Sequence, residues 1–144
     1  MILGYILIIL ALLLAGYDFR FRRLPNGLIL LLACAGIYQA WSNGDIVLAG
    51  AAGLAGFVLF YIMKISYKNM RSADGLGMGD VKLMGAIGLW VGFAGLPWVL
   101  FIGSFLTLLY AILITMLGRS LLHEARLPFG SFLCIALALV YFYQ

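Results

Sequence analysis

Six apolar runs, at roughly 2–17, 27–42, 46–63, 83–95, 97–117 and 127–143, fill most of this 144-residue chain, and every Asp, Glu, Lys and Arg lies outside them. A helix rises about 1.5 Å per residue, and the hydrocarbon core of a bilayer is about 30 Å thick. Run five therefore spans comfortably and run three nearly so. Runs one, two and six suffice with one flanking turn. Run four is too short unless it begins near Gly79. Hydrophobic residues make up 66% of the chain and charged residues 10%. A soluble domain carries roughly 25% charged residues, so this chain cannot cover a water-facing surface and its outside must face lipid. The expected fold is an all-α, polytopic integral membrane protein of about six transmembrane helices, with residues 1–144 forming one membrane-embedded domain.

The basic residues fix an expected orientation. Arg20, Arg22 and Arg23 follow run one; Lys64, Lys68, Arg71 and Lys82 separate runs three and four; Arg119 and Arg126 separate runs five and six. These are all nine basic residues, and with six alternating spans the three connections share one side. The positive-inside rule makes that side cytoplasmic and both termini extracytoplasmic, in a cell inner membrane. A cleaved signal peptide carries its positive charge before the apolar run, whereas here the arginines follow it. Pro25 and Pro97 fall where helices are expected to start, and Pro128 falls in the first turn of the last run.

Several function classes drop out. The net charge of +4 comes from residues flanking apolar runs, which indicates membrane topology rather than a nucleic-acid partner. Cys34 and Cys134 each sit alone, with no CxxC pair. His123 beside Glu124 opens like HExxH, but Leu127 stands where the second His belongs. No metal or other cofactor is expected.

Five acids remain: Asp18, Asp45, Asp74, Asp80 and Glu124. Asp18 ends the first run and Asp80 opens the fourth, on the same membrane face. An acid at the edge of hydrocarbon is expensive unless hydrated, paired or protonated. If helices one and four bring these two together, one carboxyl can hold a proton while the other acts as base on a water between them. Plainer roles compete. Asp18 can cap a helix or pair with Arg20 and Arg22, and Asp80 can cap a helix N-terminus. Asp74 reads as a solvated loop residue, and Asp45 as a cap on the opposite face. Ser131 has no plausible base, which argues against a serine protease. Gly75, Gly77 and Gly79 suit a flexible loop that brings backbone close to another chain.

The neighbourhoods of the two acids are more specific than lone carboxylates. Tyr17-Asp18-Phe19-Arg20 runs on to Leu24-Pro25-Asn26, and Gly77-Met78-Gly79-Asp80 runs on to Val81-Lys82-Leu83. With Leu127-Pro128-Phe129-Gly130, these segments resemble the type IV prepilin peptidases, aspartic membrane proteases with a GxGD motif. The resemblance covers essentially the whole chain and implies that Asp18 and Asp80 are the catalytic pair. Longer members carry an N-terminal segment with paired CxxC motifs associated with N-methylation. This chain has none and looks like the short, peptidase-only form that processes Flp-type prepilins, with no methyltransferase domain or activity expected.

The resemblance further implies prepilin or pseudopilin substrates, each with a short basic leader before an apolar helix, cut at the cytoplasmic face. Pilus or secretion assembly machinery and the lipid bilayer are the other expected partners. Gly77 and Gly79 would shape the loop or bind the leader through backbone groups. Lys82 would reach the headgroups or contact the substrate. Two other classes fit less well. A small transporter would need an acid in mid-span, and a non-catalytic assembly protein would have no use for the two carboxylates. A presenilin-like protease shares Tyr-Asp and GxGD, but this chain is too short for one.

Overall fold

The computed structural model describes residues 2–21, 23–71, 77–117 and 127–143. They form five helices: α1 (Ile2–Phe21), α2 (Asn26–Asn43), α3 (Ile46–Arg71), α4 (Met78–Met116) and α5 (Phe129–Tyr143). No strand occurs among the described residues. The protein is an all-α integral membrane protein. By length and composition, α1, α3 and α4 are long and apolar enough to cross a membrane, and α5 is a shorter apolar helix. Large apolar side chains such as Leu12, Leu30, Val47, Leu54, Trp98 and Leu108 point outward. On a soluble protein such a surface would aggregate, whereas lipid solvates it.

The count of five differs from the six apolar runs because runs four and five belong to one element. α4 begins at Met78, which gives run four the length it lacked, and it continues to Met116. It is broken at Gly92, whose φ of 61° and ψ of −168° are open only to glycine. The break replaces the connection expected at Gly95–Pro97. Pro97 lies inside the helix, just past the first turn after the break. The two halves fold back on each other. The first half starts beside Gly130, while the second places Gly103 against Leu133 and Tyr110 against Phe132, all near the start of α5.

The first half of α4 is the core of the bundle. Val81, Leu83, Met84, Ala86, Ile87, Trp90 and Val91 are all buried, so this segment is covered on nearly every face, by α2, α3 and α5. Its closest neighbour is α3. A Cβ on Gly88 would lie 2.6 Å from the Ala52 carbonyl oxygen, and one on Gly56 would lie 2.8 Å from that of Met84. Small residues are what let two membrane helices approach this closely. On the α2 side, Trp90 donates its indole N–H to the Leu32 carbonyl at 2.9 Å, satisfying the one polar atom of a buried ring.

α1 and α5 run antiparallel: Gly4 meets Tyr141 at one end, and Ala15 and Asp18 meet Ser131 at the other. Pro25 precedes α2 as expected, and its carbonyl accepts the Leu28 and Ile29 N–H groups. Gly44, in the left-handed region at φ 80°, ends α2. Asp45 directly precedes α3, and its carbonyl takes the Ala49 N–H.

Candidate active site

Asp18 sits in the last turn of α1, on the face turned toward α5, and is only 6% exposed. Its Oδ2 accepts the Ser131 backbone N–H at 2.8 Å and lies 3.2 Å from the Ser131 hydroxyl. The same hydroxyl donates to the Ala15 carbonyl at 2.9 Å. The first turn of a helix has N–H groups without intrahelical partners, and α5 begins at Phe129, so the Ser131 N–H is free to serve Asp18. Asp18 therefore pairs with the N-terminal turn of α5 rather than with Arg20. The Arg20 guanidinium is exposed and lies 6.0 Å over the Phe21 ring.

Asp80 is the third residue of α4. The N-cap position is taken by Gly77 (φ −67°, ψ 143°), so Asp80 is not the cap. Its carboxylate lies back over that end of the helix, where the macrodipole favours negative charge. A Cβ on Gly77 would be 3.2 Å from Asp80 Oδ2.

The two acids converge on Gly130. The point where a Cβ would project from it is 2.9 Å from Asp18 Oδ2 and 3.1 Å from Asp80 Oδ1. The oxygens can thus be no farther apart than the sum of these distances, about 6 Å. Two hydrogen bonds of about 2.8 Å, end to end, span nearly that far. One water can therefore touch both carboxylates.

Around this pair the three sequence motifs interlock. Leu24 packs on two glycines at once: a Cβ on Gly79 would lie 2.9 Å from Leu24 Cβ, and one on Gly130 would lie 3.0 Å from Leu24 Cδ1. Two residues on, Asn26 Oδ1 accepts from Lys82 Nζ at 3.2 Å. Leu24-Pro25-Asn26 thus clasps the start of α4 from one side, while Gly130 and Ser131 hold Asp18 from the other. Gly79 admits Leu24, Gly77 leaves room for the Asp80 carboxylate, and Lys82 ties α4 to α2.

Asp74, Gly75, Arg22, Arg119, His123, Glu124 and Arg126 lie outside the described residues. Asp45 is exposed at the opposite end of α2 and α3, away from the paired acids. In the sequence alone Ser131 is a nucleophile without a base, and Gly130 is part of the Pro-Phe-Gly segment. Their use is as a hydrogen-bond donor and as a gap between two acids. The signal for Gly130 was that segment; nothing local to Ser131 pointed to Asp18, which is 113 residues away.

Residues 5–112 match the type IV leader peptidase family. A prepilin leader peptidase/N-methyltransferase of Burkholderia pseudomallei strain 1026b is 31% identical over 131 residues, covering 90% of this chain and 42% of that protein. A protein of the same name from Klebsiella pneumoniae is 35% identical over 103 residues, covering 70% of this chain and 45% of that protein. One from Aeromonas salmonicida strain A449 is 31% identical over 116 residues, covering 78% and 39%. This chain spans less than half the length of these relatives. No solved structure matches it. On the extent of the family match and the identity to these relatives, the chain belongs to the type IV leader peptidase family.

Proposed function

We propose that this protein is an aspartic endopeptidase that removes the short basic leader from prepilins at the cytoplasmic face of the inner membrane. The observation that carries this reading is the convergence of Asp18 and Asp80 on the point where a Cβ would project from Gly130. Two carboxylates at this spacing share a proton between them and titrate as a unit. The ionised member takes a proton from the bridging water, whose oxygen attacks the scissile carbonyl. The protonated member then gives its proton to the leaving amine as the C–N bond breaks. The water supplies the hydroxyl of the new carboxyl group, and the dyad ends with one proton as it began.

The face follows from charge. Arg20, Arg23, Lys64 and Lys82 lie at or near the helix ends that hold the acids, and short basic connections stay on the cytoplasmic side. A prepilin inserted by its apolar helix keeps its leader on that side. Six passes, with α4 counted as two, would leave both termini outside.

The test is to co-express the chain with an Flp-type prepilin and read the prepilin's mass and new N-terminus from isolated membranes. Loss of the leader at a single bond supports the reading. An unprocessed prepilin beside well-inserted enzyme contradicts it.

A further inference from the structure

We propose that Ser131 is the positioning residue of the dyad: it clamps one oxygen of Asp18 with two donors, and its hydroxyl turns as Asp18 gains and loses a proton. This rests on the reading of Asp18 and Asp80 as the reacting pair.

A serine hydroxyl has one hydrogen, yet Ser131 Oγ has two acceptors in reach. They are the Ala15 carbonyl at 2.9 Å and Asp18 Oδ2 at 3.2 Å. While Asp18 is a carboxylate, Oδ2 can take both the backbone N–H and the hydroxyl. Once a proton sits on Asp18, the hydroxyl can swing to Ala15 and remain bonded. Neither state strands a buried polar atom, which would be costly this deep in the bundle, where Ser131 is 4% exposed. The proton therefore moves on and off Asp18 without any displacement of α1 or α5.

The clamp also sets direction. The backbone N–H is fixed by the first turn of α5, so Oδ2 is anchored and the carboxylate plane cannot spin freely. Gly130 is the residue before Ser131, so the same turn that anchors Asp18 also sets the gap to Asp80. Preorganised donors of this kind act because nothing has to move when charge develops. The titratable groups facing Asp18 from neighbouring helices are Asp80 on α4 and the buried Cys134 thiol, about one turn along α5 from Ser131. On α1 itself, Arg20 is exposed two residues on.

The experiment compares wild type, Ser131→Ala and Asp18→Asn in detergent, measuring kcat, KM and the pH profile of prepilin cleavage. Alanine keeps the backbone N–H and the helix and removes only the hydroxyl. We expect kcat to fall roughly tenfold with KM unchanged. Losing a donor to the carboxylate disfavours its ionised form, so the acidic limb of the kcat profile should move up by about one pH unit. A purely structural serine would not move that limb. If Asp18→Asn is inactive while Ser131→Ala keeps a wild-type kcat and an unmoved limb, the positioning role is overturned and the dyad stands. If Asp18→Asn cleaves like wild type, the dyad reading itself falls, and the proposal falls with it.

Discussion

Asp18 and Asp80 face each other across Gly130, and no side chain can occupy that gap without touching both carboxylates. A methyl there would sit 2.9 Å from Asp18 Oδ2 and 3.1 Å from Asp80 Oδ1. Asp18 cannot easily give way, because its oxygen is held by Ser131. The expected result of Gly130→Ala is thus a normally inserted protein with a displaced dyad. Misplacement by about 1 Å can cost on the order of 100-fold in rate, and the stability loss should stay within about 1–3 kcal/mol. Cleavage kinetics read beside a thermal melt in detergent separate the two effects.

Gly88 should behave in the opposite way. Its missing Cβ would press on the Ala52 carbonyl, which is backbone and cannot move aside. Gly88→Ala should therefore force α3 off α4 and destabilise the fold by about 1–3 kcal/mol or more. Gly50, on the exposed side of α3, has open space around it. Gly50→Ala should be neutral or gain up to about 1 kcal/mol from helix propensity. Melting temperatures of the pair check whether the α3–α4 contact depends on this close approach.

Lys82 offers a finer test. Its exposed bond to Asn26 ties α4 to α2, and a loop-shaping role predicts that breaking it from either end has the same effect. Lys82→Met and Asn26→Ala should each lower kcat/KM by no more than about threefold, in line with a solvent-exposed hydrogen bond worth under about 1 kcal/mol. A KM rise confined to Lys82→Met would instead place Lys82 against the substrate.

Much of this arrangement was legible in the sequence because it rests on strong local signals. Apolar run lengths gave an all-α membrane fold. Two acids at the edges of runs, each inside a distinctive motif, marked the pair that α1 and α4 bring together. The break in α4 was harder. Proline is a visible helix breaker, so Gly95–Pro97 looked like the turn, whereas a single glycine at positive φ does the work at Gly92. With 18 glycines in the chain, no local feature distinguishes that one. Ser131 was hidden for another reason. As a nucleophile it lacks a base, and its contribution depends on a helix N-terminus meeting α1 in three dimensions, which no periodicity encodes. Leu24 shows the intermediate case: Leu-Pro-Asn stood out as a motif, while its packing on Gly79 and Gly130 emerges only in the fold.

The most direct measurement of the central claim is prepilin cleavage in membranes by Asp18→Asn and Asp80→Asn, at matched abundance and insertion. Asparagine keeps the shape of each side chain but cannot exchange the proton. The account predicts that each single change abolishes cleavage, because neither carboxyl can serve as both acid and base within one turnover. Wild-type cleavage by either variant would contradict it.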